Sequence, residues 1–123
     1  MARIQSYRQL TVWQRAMNLV EECYRISARL PACERFGLVQ QVRRAAVSIP
    51  SNIAEGFNRR SRAAYLNHLS IAVGSQAELA TQLELVGRLS LRPVEETVAA
   101  QDLAAEVGRL LHGLIRALEA TGP

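Results

Sequence analysis

The chain has 123 residues, of which 49% are apolar but only 5% aromatic, and its formal net charge is +4. This length is enough for one domain with its own core, without help from disulfides or a metal. A core with few aromatic rings must be built from Leu, Val, Ile and Ala, and this mixture favours helices over sheets. We therefore expect residues 1–123 to form a single all-α domain.

The charge is distributed unevenly along the chain. Residues 1–62 contain 11 Arg against 4 Glu, a formal charge of +7, whereas residues 63–123 contain 4 Arg against 7 acidic residues, a charge of −3. A basic half fits an anionic partner such as RNA or DNA. It fits equally well the acidic half of a neighbouring subunit, or another protein.

Several functional classes find no support in the sequence. No run of about 18 apolar residues could span a membrane, and the N-terminus has no apolar signal core, so we expect a cytoplasmic protein with no membrane partner. Cys23 and Cys33 lack the spacing of a zinc site, and we predict no metal and no cofactor. We expect Cys23 to be a small core residue; a disulfide between the two cysteines is the alternative.

Catalytic motifs are also missing. The sequence has no glycine-rich phosphate loop, no nucleophile elbow, and no Glu-x-x-His pair of the kind that holds two metals in a helical bundle. Its two histidines, His68 and His112, stand apart from any such pattern. We predict a protein without catalytic residues, which is not an enzyme.

The first predicted helix covers about residues 12–30, with Thr11 as its N-cap. Apolar residues recur at helical spacing along one face, which predicts the core side. Beside that face lies a second apolar stripe formed by Trp13, Met17 and Tyr24. A simple bundle needs an apolar stripe of only about 100°, so the excess either contacts a neighbouring subunit or closes the edge of the core.

The second predicted helix covers residues 34–56 and contains Pro50 in its middle. Apolar residues keep the same helical phase on both sides of the proline, which predicts one helix kinked at Pro50 rather than two. A proline inside a helix costs on the order of 3 kcal/mol, and we expect burial of Ile49 and Ile53 to offset it. Gly56 suits the C′ position.

The third and fourth predicted helices cover residues 62–89, after a Ser61 cap, and 94–120. Gln76 lies on the core face of the third helix and needs a hydrogen-bond partner if it is buried. Gly74 lies on another side, where close packing against a second helix would justify it. Four long helices with short connections predict an antiparallel up-down-up-down four-helix bundle.

The outward face of the second helix is unusual because it alternates charges with small hydroxyl groups. Three interpretations stay open: a solvated face with a Glu55–Arg59 ion pair, a polar seam between subunits, or a surface for RNA phosphates. No aromatic residue is interleaved with these arginines, so stacking of bases is not expected. The candidate nucleic-acid-binding residues are Arg43, Arg44, Arg59, Arg60 and Arg62. The candidate oligomer-interface residues are Trp13, Met17, Tyr24, Ser48, Ser51, Asn52, Glu55 and Gly74.

Three segments carry a family resemblance: LTVWQRAMNLVEECY, LPACERFGLVQQVRRAAVSIPSNIAEGFNRRS and YLNHLSIAVGSQAELATQLEL. Over roughly positions 8–90 the chain resembles the four helix bundle proteins of the 23S rRNA-intervening-sequence family, most specifically in SIPSNIAEG and IAVGSQAEL. The resemblance implies an up-and-down bundle that assembles as a homopentamer, without established catalytic residues. A protein of similar fold, the accessory protein of diversity-generating retroelements, binds nucleic acid and a reverse transcriptase.

Two functions follow from these observations. The first is an oligomeric bundle that binds RNA or another nucleic acid through its arginine-rich surfaces. The alternative is a structural or scaffold protein that acts through protein–protein contacts, for example as an accessory subunit of a nucleic-acid enzyme such as a reverse transcriptase.

Overall fold

The computed structural model describes residues 3–121 and confirms an all-α, four-helix protein. No strand occurs among these residues, and short 3-10 turns precede α1 and α2. Each helix packs against the next one, and α4 also packs against α1, which closes the bundle. The helices are α1 (Thr11–Ser27), α2 (Leu38–Phe57), α3 (Arg62–Arg88) and α4 (Val94–Ala120), and the 3-10 turns are Tyr7–Gln9 and Ala32–Glu34.

Contacts between α3 and α4 join the start of one helix to the end of the other. The Arg62 guanidinium donates a hydrogen bond to the Leu118 carbonyl at 3.3 Å. At the opposite end, a Cβ placed on Gly87 would lie 3.2 Å from the Val94 side chain. The antiparallel order of all four helices stays a prediction, as does the kink at Pro50.

The connection between α1 and α2 is longer than the sequence predicts. We expected helices over 12–30 and 34–56, but α1 ends at Ser27 and α2 begins at Leu38. The Leu30 amide donates to the Ser27 carbonyl at 3.2 Å, which closes α1 in a tight turn. The Glu34 carboxylate accepts from the Leu38 amide at 3.2 Å and so starts α2. Apolar periodicity alone cannot detect such caps, because it continues across them.

Two other cap assignments are tested by the structure. Ser61 caps α3, since its hydroxyl accepts from the Ala64 amide at 3.1 Å, as predicted. Thr11 is the first residue of α1 rather than its N-cap, which is Leu10. The 3-10 turn before α1 has its own capping box, formed by Ser6 and Gln9, and this turn leads the chain directly into the helix.

Helix α2 is continuous through Pro50, as the unchanged apolar phase predicts. Pro50 itself is buried, and Ile49 and Ile53 on either side are fully buried. Gly56 is not a C′ residue, because it lies inside the last turn and Asn58 is the C-cap. A Cβ at Gly56 would lie only 2.8 Å from the Cβ of His68, so this glycine lets α2 and α3 approach closely.

The buried face of α4 is built largely from small residues. Among the large aliphatic residues by which α4 contacts the core, only Val107 and Leu111 are fully buried, while the others are half-buried around the core. The remaining buried positions are Thr97, Ala100, Ala104 and Gly108. Small side chains let α4 pack tightly on its neighbours, yet they contribute little to a pattern of hydrophobicity.

Gln76 has the hydrogen-bond partner expected for a polar residue on the core face of α3. Its Nε2 donates to the Ala104 carbonyl at 2.9 Å. The amide rests on Gly108, where a Cβ would lie 2.9 Å from that nitrogen. Gly74, in contrast, has no atom within 4 Å of its Cβ position, so the expected close packing does not occur within the chain.

Both cysteines are free, and a disulfide between them is ruled out by their places in the fold. Cys23 is fully buried in the core, as predicted, whereas Cys33 is exposed. Burial raises the pKa of the Cys23 thiol to about 12, which makes this thiol unreactive. Within residues 3–121, no helix has the length and hydropathy needed to cross a membrane.

Candidate nucleic-acid and subunit interface

The five candidate arginines fall into two separate groups. Arg43 and Arg44 lie near the start of α2, whereas Arg59, Arg60 and Arg62 lie at the turn between α2 and α3. At about 1.5 Å per residue, Arg44 and Arg59 are separated by roughly 22 Å along the helix axis. The structure therefore forms two basic areas at opposite ends of α2 rather than one patch.

At the α2–α3 turn, two of the three arginines are free. Arg62 donates to the Leu118 carbonyl and lies 3.5 Å from the Thr121 hydroxyl, so it is engaged at the C-terminus of α4. Arg59 and Arg60 are exposed and form no ion pair within the part of the chain that the structure describes. The Glu55–Arg59 pair, which belonged to one of the three open interpretations, is not formed; the Glu55 carboxylate lies 3.7 Å from Nδ1 of His68 instead.

The α1–α2 corner, which we define as Tyr24, Arg35, Phe36, Arg43 and Arg44, contains two arginine–aromatic pairs. The Arg43 guanidinium lies 4.4 Å from the Tyr24 ring centroid, and its Nε donates to the Ser27 hydroxyl at 2.8 Å. The Arg35 guanidinium lies 5.8 Å from the Phe36 ring centroid. Although no aromatic residue is interleaved with the candidate arginines in the sequence, the fold therefore places one of them, Arg43, over an aromatic ring.

Five of the ten other arginines already have carboxylate partners. Arg92 binds both carboxylate oxygens of Glu96, at 2.6 and 2.7 Å, and Arg29 approaches the same group at 3.5 Å. The hydrogen bond from Arg92 lowers the pKa of Glu96 and raises the pKa of Arg92 itself. The remaining pairs are Arg15–Glu106, Arg25–Glu22 and Arg88–Glu84.

A chain of polar side chains joins α2 to α3, and we call it the polar seam: Ser48, Asn52, Glu55, His68 and Ser75. Ser48 and Ser75 share a hydrogen bond of 2.7 Å between their hydroxyls. Asn52 donates to the Ser48 carbonyl at 2.9 Å and to its hydroxyl at 3.1 Å, while its Oδ1 lies 3.0 Å from Nδ1 of His68. Glu55 approaches the same nitrogen.

The side chains of the SIPSNIAEG segment therefore lie in three different environments. Ser48 and Asn52 face α3, the isoleucines enter the core, and Pro50 and Ser51 face α1. The polar face expected from the sequence is therefore shared between two neighbours, because Ser48 bonds to α3 whereas Ser51 lies beside α1. That Ser48, Asn52 and Glu55 contact another subunit stays a prediction, although their polar groups already have partners within the chain.

An apolar groove of about 340 Å³ lies between α1 and α2, on the side away from α3. It brings together three predicted interface residues, Trp13, Met17 and Ser51. Met17 is 39% exposed and Val47, on the opposite wall, is 40% exposed. The lining residues that sequence reasoning missed are Tyr7, Val20, Val47, Pro50 and Ala54. Tyr24 and Gly74 lie outside this groove.

The protein is a four-helix bundle. Its candidate functional features are a polar seam, an apolar groove and two basic areas. Within residues 3–121 there is no cluster of side chains that could hold a metal ion. The family model of the 23S rRNA-intervening sequence protein matches residues 8–113, and the chain belongs to this family.

The fold also has a counterpart among solved structures. The chain is similar to a protein of unknown function from the S23 ribosomal protein family of Bacteroides thetaiotaomicron VPI-5482, with 25% sequence identity and a TM-score of 0.80. The similarity covers 85% of this chain and 98% of that one. No curated protein matches the sequence.

Proposed function

We propose that this chain is a non-enzymatic, oligomeric helical bundle that binds RNA through exposed arginines. One observation carries the proposal: among the candidate arginines, Arg44, Arg59 and Arg60 are exposed and form no ion pair within residues 3–121, whereas five arginines outside the candidate set do. Unpaired guanidinium groups fit phosphate geometry, and binding to a polyanion releases its counterions. The family name, which refers to 23S rRNA, supports RNA as the polyanion.

The number of free arginines makes oligomerisation part of the proposal. Each phosphate contact contributes about 0.9 to the slope of log affinity against log salt, so the three free candidate arginines of one subunit give weak binding with a slope near −3. The contacts of one subunit are also split between the two ends of α2. An oligomer that presents several copies on one RNA gains affinity through effective concentration.

An electrophoretic shift of a structured RNA across a salt series tests RNA binding. We expect binding at about 50 mM salt that weakens as salt rises, and we expect R59A/R60A to bind less tightly with a slope smaller by about 2. The control is R25A/R88A, which removes the same charge from two exposed arginines that already pair with glutamates. The proposal fails if the wild type does not bind at 50 mM, or if both variants lose affinity equally.

A second candidate function, a scaffold protein, is favoured by the apolar groove with Met17 and Val47 on its walls. In either function we expect a second copy of the chain to cover this groove, and the family resemblance implies a pentamer. Light scattering coupled to gel filtration is expected to return a multiple of 13.6 kDa for the wild type and 13.6 kDa for M17E/V47E. V98E, with a similarly exposed valine on α4 outside the groove, is the control.

The same measurement separates the two functions. A wild-type mass of one chain contradicts oligomerisation. If R59A/R60A dissociates the oligomer, these arginines serve subunit contacts and the scaffold function is favoured. If R59A/R60A keeps the mass of the wild type and loses RNA, the arginines serve RNA binding.

A further inference from the structure

We propose that the α1–α2 corner binds unpaired bases of single-stranded RNA, with Phe36 as the ring on which a base stacks. This inference rests on the proposed function and specifies the form of nucleic acid that is bound. It assigns a role to Arg35 and Phe36, which lie in the connection between α1 and α2 and are not among the candidate binding residues.

Phe36 is exposed to an extent that folding does not explain. Its exposed fraction is 78%, the highest among the large apolar side chains that the structure describes. It lies between the 3-10 turn and Gly37, just before α2 begins. Because so little of its surface is buried, the ring contributes almost nothing to the core. A free ring next to a cation is the arrangement found where proteins stack single-stranded bases.

Charge complementarity selects nucleic acid as the partner. Arg35 lies over the Phe36 ring, Arg43 lies over the half-exposed Tyr24 ring, and Arg44 is exposed one residue further along α2. Glu34, two residues before Phe36, is already engaged because its carboxylate accepts from the Leu38 amide; Glu21, one helical turn before Tyr24, is exposed and forms no ion pair among the described residues. Aromatic faces with positive charge beside them suit bases and phosphates of one strand.

An apolar protein partner fits this corner less well than it fits the groove. The groove is lined mainly by apolar side chains from α1 and α2, and Phe36 is not among them. Around Phe36 the neighbouring residues along the chain are Arg35 and Gly37, which offer no continuous apolar surface. The exposed Phe36 ring, with the Arg35 guanidinium over it, is therefore suited to a base rather than to a helix or a second copy of the chain.

Fluorescence anisotropy with two labelled probes, a short poly(U) strand and an RNA duplex, tests the proposal on the full chain. We expect F36A to lower the affinity for poly(U) by at least about five-fold, because one stacking contact is lost, and to leave duplex affinity unchanged, because duplex bases are already stacked. F36W is expected to restore poly(U) binding. The control is L89A, which removes another large exposed side chain (57%) at the end of α3 and should change neither probe.

The outcomes separate this inference from the proposed function. If F36A changes neither probe or both probes equally, while the wild type binds RNA, the stacking role is wrong and the proposed function stands. If F36A changes the mass of the oligomer, Phe36 is a subunit contact and the inference is overturned. If the wild type binds neither probe at about 50 mM salt, both fail. The melting temperature of F36A should match that of the wild type, since the ring is exposed.

Discussion

Replacing Gly56 with alanine is expected to destabilise the bundle by about 1–3 kcal/mol, because the added methyl group overpacks the contact between α2 and α3. In an exposed helix the same change would stabilise by roughly 1 kcal/mol. Here the new Cβ would lie 2.8 Å from the Cβ of His68, 3.0 Å from the Tyr65 ring and 3.2 Å from the Tyr65 carbonyl oxygen. None of these atoms is the far end of a flexible side chain, so α3 itself has to move.

Gly74 provides the matched control on the neighbouring helix. No atom lies within 4 Å of its Cβ position, so G74A should gain about 0.5–1 kcal/mol from lower backbone entropy in the unfolded chain. Urea unfolding followed by circular dichroism measures both variants. Equal effects of G56A and G74A would contradict the role of Gly56 in close packing. A loss of oligomer mass in G74A would instead support the prediction that Gly74 lies at a subunit interface.

Replacing Asn52 with alanine is expected to cost about 1–3 kcal/mol, the range for leaving partly buried polar partners unsatisfied. Asn52 is the centre of the polar seam, since its amide nitrogen donates to Ser48 and its oxygen lies 3.0 Å from Nδ1 of His68. The side chain of His68 is only 13% exposed, so water replaces the lost contact poorly. Thermal and urea unfolding of N52A both report the effect.

Asn67 is the control for this substitution. It is an exposed asparagine on α3 without a side-chain hydrogen bond among the described residues, and N67A should change stability by less than about 0.5 kcal/mol. If N52A unfolds like the wild type but loses oligomer mass or RNA affinity, the seam is a binding surface rather than a contact between α2 and α3. A shift in stability with unchanged mass and affinity supports the internal role.

The helices and most of the core follow from apolar periodicity. Ile49 and Ile53 were placed correctly on either side of Pro50, because burial of a continuous face outweighs one missing backbone hydrogen bond. The end of α1 and the start of α2 were wrong by three and four residues, because the apolar pattern continues through the turn that closes α1 and through the 3-10 turn Ala32–Glu34. The burial of Ala104 and Gly108 in α4 was not predicted, because they carry no large apolar side chain for the pattern to register.

The surface features were harder to predict because they depend on which helices are neighbours. Tyr24 stacks under Arg43 only because α1 packs beside α2, and the two residues are far apart in the sequence. Ser48 and Ser51 seemed to share one outward stripe, but α3 covers the first and α1 lies beside the second. The chain order of residues does not reveal such contacts before the helices are assembled.

The polar seam has a consequence for the uniqueness of the fold. Cores of Leu, Ile, Val and Ala tolerate repacking, so apolar burial alone allows several alignments of one helix along another. If α3 slid by one helical turn, about 5.4 Å, Ser75 would leave Ser48 and His68 would leave Asn52. Each misaligned bundle would keep much of its apolar contact and lose both hydrogen bonds of the seam that join α2 to α3. These few polar pairs therefore act against competing alignments, a role distinct from the stability that they add.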